Sequence, residues 1–152
     1  MKLLDVLRKE AIVADLVSED KKGILEELAG PAAQIAGISP DACVQVLLER
    51  ERLGSTGIGE GIGIPHGKMS GLKDLVLGFG LSRRGVDFES MDGRPTHIFF
   101  LLITPENSTG LHLKVLARIS KILKNSALKE SLLKAADRDE IFEAMEKEDE
   151  DF

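Results

Sequence analysis

The stretch Gly54-Ser55-Thr56-Gly57-Ile58-Gly59-Glu60-Gly61-Ile62-Gly63-Ile64-Pro65-His66-Gly67 decides how this chain is read. Ile58, Ile62 and Ile64 fall on one parity, and the other parity is glycine from 57 to 63. A period of two predicts a short strand or extended run over 58–64. Glycine on one face of such a run lets a second backbone or a ligand come close. Pro65 lacks an amide donor and fixes φ, which suits a strand end. His66 is then expected where the strand stops, with a turn at Gly67. A histidine held there among glycine amides, without bulky neighbours, is well placed for chemistry.

The rest of the chain frames that stretch. A length of 152 residues is enough for one domain, 1–152, with a sizeable core. Twenty basic against 26 acidic residues give a net charge of −6. This argues against nucleic-acid binding as the main role, because phosphate contacts need a basic face. The lone cysteine, Cys43, permits no intrachain disulfide and points to a reducing, cytoplasmic setting. Met1 to Arg8 carries no long apolar region or cleavage site. The apolar run from Ile98 to Ile103 is too short to span a bilayer, so no direct membrane insertion is expected.

Taken in order, Lys2–Lys9 has apolar residues at 3, 4 and 7 and predicts a short helix, and Ala11–Val17 a strand. Ser18 is expected to cap a helix running towards Ile35, with Gly30-Pro31 kinking or interrupting it. Ser39-Pro40-Asp41 marks a helix start, and Arg50 falls in that helix's last turn before Gly54. Leu72–Leu81 reads as a strand and Arg83-Arg84-Gly85 as a turn. Asp92-Gly93 is a second turn. Thr96–Ile103 is a continuous apolar run, the mark of a central strand buried on both faces. Helices are expected over Leu111–Leu123 and Ser126–Ala136. A final helix should follow Asp137 to about Lys147, with residues 147–152 frayed. Helices alternate with strands, so the class is α/β, one sheet with helices on both faces.

Arg50-Glu51, Ser55-Thr56-Gly57-Ile58-Gly59 and Ile62-Gly63-Ile64-Pro65-His66-Gly67, followed by Asp92-Gly93 and His112-Leu113, resemble the fructose/mannitol/nitrogen-type IIA domain of the bacterial phosphotransferase system. The resemblance covers roughly the whole chain and implies a single mixed, mostly parallel sheet. One departure is Gly63, where the family usually has alanine; a looser strand is expected there.

The resemblance also implies a chemistry. A IIA domain accepts a phosphoryl group on histidine and passes it on. The reaction needs a neutral imidazole nitrogen and fixed positive charge around three phosphoryl oxygens, with neither metal nor cofactor. His66 matches the phosphorylated nucleophile, through Nε2. Arg50 matches the arginine near the phosphoryl group, and His112 the second active-site histidine, at a helix start that favours an anion. Ser55, Thr56 and Gly67 are candidates to bind or orient the phosphoryl group. Glu51 matches the acid of the motif and is expected to hold Arg50 or shape the loop. His97 matches no motif and reads as structural. The implied donor is a phosphocarrier like HPr or its nitrogen-branch counterpart NPr. The implied acceptor is a IIB domain or a regulatory target protein. Val86-Asp87-Phe88-Glu89-Ser90-Met91-Asp92-Gly93 looks more like the nitrogen-related branch than the sugar-transporting one. The competing reading from another class is a binding module that has kept the fold and lost the transfer; intact Arg50, His66 and His112 count against it.

Overall fold

A computed structural model describes all of residues 1–152. In chain order the elements are β1 (Ile12–Val13), α1 (Lys21–Ala36), α2 (Pro40–Arg52), β2 (Gly57–Gly59), β3 (Ile62–Gly63), β4 (His66–Met69), β5 (Val76–Val86), β6 (Thr96–Pro105), α3 (Thr109–Ile122), α4 (Ser126–Lys134) and α5 (Arg138–Glu148). The strands form one mixed sheet in the order β1-β5-β6-β3-β2, with β4 also beside β6. Three of the five pairings are parallel, and the longest, β5 with β6, is antiparallel.

The apolar run after Thr96 becomes the central strand. Alternation sends Ile98, Phe100 and Leu102 to one face, against α3, α4 and α5. Phe99, Leu101 and Ile103 go to the other face, against α1 and α2. Each face is closed by an edge-on aromatic pair, Phe79–Phe100 at 5.0 Å and Phe88–Phe99 at 5.1 Å between ring centres. Helices therefore cover both faces, as the alternation of elements implied.

The glycine stretch is not one extended run. It folds into a hairpin, β2 antiparallel to β3, over the two-residue turn Glu60-Gly61. Both turn residues have positive φ, 58° and 79°, the pattern of a type I′ hairpin. Nor does the chain turn at Gly67. His66 opens β4, and β3 and β4 share one register along β6: Ile62 faces Ile98 and His66 faces Leu102. At Gly67 a Cβ would lie 2.5 Å from Cγ1 of Val46 on α2, so glycine is what lets α2 pack down beside the histidine. The expected looseness at Gly63 is absent, because Phe99 and Thr96 fill the space an alanine methyl would take.

Other boundaries moved for local reasons. The N-terminal segment forms two 3₁₀ turns, Leu3–Asp5 and Lys9–Ala11, and the strand after them is only Ile12–Val13. Asp20, not Ser18, caps α1, accepting from the Gly23 amide at 2.8 Å. The helix continues through Pro31. Its buried stripe of Ile24, Leu25, Leu28, Ala29, Ala32 and Ala33 outweighs the roughly 3 kcal/mol cost of an interior proline. Arg83-Arg84-Gly85 is a register shift inside β5 rather than a turn, with Gly85 at φ 82°. The last residues are tied down, not frayed. Asp149 accepts from the amides of Leu3 and Leu4, and the Phe152 amide donates to the Met1 carbonyl.

The packing at Gly67 yields a test. Gly67→Ala should lower stability by about 1–3 kcal/mol through overpacking, and adding Val46→Ala should recover part of the loss. Urea denaturation of the two variants checks this; a Gly67→Ala protein as stable as the parent would contradict it.

Candidate active site

The site forms where β4 begins beside the last part of β6 and α3 starts. His66 is half-buried, and its Nδ1 lies 2.6 Å from the Ile64 carbonyl oxygen. A carbonyl can only accept, so Nδ1 carries the proton and Nε2 keeps its lone pair. The ring can reach back over Pro65 to Ile64 because that backbone is itself pinned: the Ile64 amide donates to Thr56, and the Pro65 carbonyl accepts from Leu102. Burial pushes the His66 pKa below the usual histidine value; the Ile64 carbonyl acts in the opposite direction, and the charge on Arg50 adds to the lowering. The imidazole is thereby held neutral at pH 7.

His112 stands in the first turn of α3, only 6% exposed. Its ring centre is 5.3 Å from that of His66, with the planes at 59°. Nδ1 is 2.7 Å from the hydroxyl of Thr104, which is fully buried at the end of β6. Burial, then the neighbouring His66, then Lys68, push the His112 pKa down to about 4. Two neutral imidazoles thus face each other at neutral pH.

Arg50 lies in the last turn of α2, half-buried, donating to the Gly54 carbonyl at 2.9 Å. Its charge reaches His66, as the lowered pKa records. Glu51 does not hold Arg50. It is buried and binds the Thr56 amide at 3.1 Å, the Thr56 hydroxyl, and the Lys21 ammonium at 3.1 Å. The Ser55 hydroxyl donates to the Phe88 carbonyl at 2.6 Å and accepts from the Gly57 amide. Glu51, Ser55 and Thr56 therefore brace the loop whose Gly54 carbonyl accepts from Arg50, with their polar atoms already engaged. Gly67 serves the α2 contact described above. His97 stands apart, its Nδ1 2.9 Å from the Ser82 carbonyl. The Cys43 thiol is fully buried and pushed up to about 12 by burial, so it is unreactive.

Three site residues escape a reading of the sequence alone. Lys68 projects from the same strand face as His66, two residues on, and donates to the Thr109 hydroxyl at 2.8 Å. The period of two could have found it. Thr104 closes an apolar run and carries no local signal. Lys21 meets Glu51 only through tertiary packing. No group of three or more His, Cys, Asp or Glu side chains is placed to share a metal ion.

Comparison with known proteins adds to this geometry. Residues 5–148 match the family model described as "Phosphoenolpyruvate-dependent sugar phosphotransferase system, EIIA 2". A nitrogen regulatory protein of Bradyrhizobium diazoefficiens is 40% identical over 145 residues, covering 95% of each chain. The fructose-specific EIIABC component of Bacillus subtilis is 34% identical over 150 residues, which is 98% of this chain and 24% of that one. The crystal structure of the nitrogen regulatory protein IIA-Ntr from Neisseria meningitidis superposes with a TM-score of 0.86 at 33% identity, covering 93% of this chain and 97% of that one.

The depressed pKa of His112 ties stability to pH. The unfolded chain takes up a proton there near the ordinary value of 6.5, the folded chain only near 4. Stability should therefore fall as pH drops from 6.5 towards 4, by on the order of 3 kcal/mol from this group. Urea denaturation at pH 7 and pH 4.5 should show a smaller loss in His112→Gln than in the parent; an equal loss would contradict the assignment.

Proposed function

The chain belongs to the EIIA 2 family of the phosphoenolpyruvate-dependent sugar phosphotransferase system, and we propose that it is a phosphocarrier whose acceptor atom is Nε2 of His66. One observation carries this reading: the Nδ1–H to Ile64 hydrogen bond leaves Nε2 unprotonated, next to Arg50 and His112. In the transfer, the Nε2 lone pair forms a bond to phosphorus as the phosphorus–nitrogen bond of a donor phosphohistidine breaks. The electron pair returns to the donor imidazole, so no proton need move on the acceptor. Charge spreads over three outer oxygens, and fixed donors around them lower the barrier. Arg50 can give up its Gly54 contact to hold two of these oxygens. If the Thr104 hydroxyl donates to Nδ1 of His112, the Nε2–H of that ring becomes a further donor. Lys68 adds positive charge at the same face.

The donor is a phosphocarrier of the HPr or NPr kind, and the acceptor a IIB domain or a regulatory target. The nitrogen-regulatory branch is favoured by the Bradyrhizobium relative and the Neisseria structure, each matched across more than nine-tenths of its length. A sugar-delivering role is the second reading, supported by the fructose-specific relative that covers nearly all of this chain. No helix is long and apolar enough to cross a membrane, consistent with a carrier that works in the cytoplasm.

Incubation with phosphoenolpyruvate, Enzyme I and either HPr-type donor, followed by intact-mass spectrometry, tests the proposal. A single acid-labile phosphoryl group is expected, absent from His66→Ala. Arg50→Ala and His112→Ala should still label, but slower by roughly 10²-fold each, the typical cost of one lost charge-stabilising donor. Full labelling of His66→Ala would overturn the reading, and the faster of the two donors identifies the branch.

A further inference from the structure

A second polar cleft, of about 640 Å³, lies at the opposite end of the sheet from His66. It opens between the Glu60-Gly61 hairpin turn, the segment entering β6, and the start of α4. Pro95 is the one apolar side chain of its lining; Arg94, Lys124, Lys129, His97, Ser126 and Glu60 supply its polar groups. Three cations thus converge against one carboxylate, on a chain whose net charge is −6.

None of the three cations is paired with a carboxylate. The Lys129 ammonium donates to the Glu60 backbone carbonyl at 2.7 Å, which leaves its charge uncompensated. On the Arg94 side Asp92 accepts from the amides of Glu60 and Arg94; its charge is felt by Arg94, but the two side chains form no ion pair. His97 has Nδ1 committed to Ser82, which leaves Nε2 as its one unengaged ring nitrogen. Elsewhere on this chain lysine and arginine repeatedly find acids, as in Lys21 with Glu51 and Lys134 with Glu130. Like charges gathered in excess of their counterions repel one another, and an anion bound between them relieves that repulsion.

We propose that this cleft binds a small phosphorylated metabolite, one carrying at least two phosphate charges. A single phosphate is too small to fill it, whereas nucleotide-sized ligands match clefts of this volume. The acidic remainder of the surface disfavours a nucleic acid or an anionic membrane as the occupant. The cleft is remote from the transfer chemistry: Gly61 precedes His66 by five extended residues, roughly 16 Å along the strand. It nonetheless grips the hairpin whose second strand runs directly into β4, so an occupant would act on the strand that presents His66.

The test is an amide NMR titration of the full chain, in its parent and His66→Ala forms, with pyrophosphate, ATP and adenosine. Pyrophosphate and ATP should shift the amides of Gly61, Arg94, Ser126 and Lys129 in both forms, while adenosine should not. A stronger effect of ATP than of pyrophosphate would assign part of the recognition to the nucleoside. Arg94→Glu/Lys124→Glu, two exposed side chains outside the transfer site, should weaken binding at least about tenfold and leave labelling at His66 unchanged without ligand. Shifts confined to Arg50, His66 and His112, no shifts at all, or undiminished binding by the double variant would each overturn the proposal. Because the cleft is read by shifts at its own amides, its failure would not touch the assignment of His66, nor the reverse.

Discussion

Everything at the candidate site depends on one constraint, the unbroken register of residues 62–69 along β6. Ile62 lies opposite Ile98 and His66 opposite Leu102, with Pro65 between them. Pro65 cannot donate, yet its carbonyl still accepts from Leu102 and the line continues. Within that line the Ile64 carbonyl is free to turn towards the His66 ring rather than a neighbouring strand. A slip of one residue would send His66 to the face covered by α2. Strand register therefore decides the face on which His66 stands, and the local contact with Ile64 decides its tautomer.

Around that line the chain arranges two kinds of support. Buried polar contacts brace the loop before β2: Glu51 on Thr56 and Lys21, and Ser55 on Phe88. Their polar atoms are engaged with one another, and they hold the loop whose Gly54 carbonyl accepts from Arg50. Packing supplies the rest. Val46 pressing on Gly67 brings α2 close to His66, and buried Thr104 sets His112 across from it. Burial also keeps both imidazoles neutral at pH 7, and a free lone pair on a ring nitrogen requires that state.

Much of this was legible in the sequence. The run after Thr96 announced a central strand, Ser39-Pro40 a helix start, and the Pro-His-Gly ending with its upstream arginine and His112 pointed to side chains that the fold brings together. What escaped was decided by tertiary context. Pro31 sits inside α1 because burial on the sheet outweighs a lost hydrogen bond. The period of two over 58–64 hid a two-residue hairpin, since Glu60 takes a positive φ that sequence rarely assigns to glutamate. The acidic tail looked frayed, but its Asp149 satisfies amides at the other terminus. Ser55 and Thr56 looked free to touch a ligand; only the fold reveals that their hydroxyls are already engaged.

The central claim is that backbone geometry fixes His66 as an Nδ1-protonated imidazole with Nε2 as the acceptor. Nitrogen-15 NMR of the histidine rings, before and after phosphorylation by phosphoenolpyruvate, Enzyme I and an HPr-type donor, tests it most directly. The account predicts the Nδ1–H tautomer at His66 in the free protein and phosphorus–nitrogen coupling at its Nε2 afterwards. An Nε2–H tautomer in the free protein, or coupling at Nδ1 or at another histidine, would contradict it.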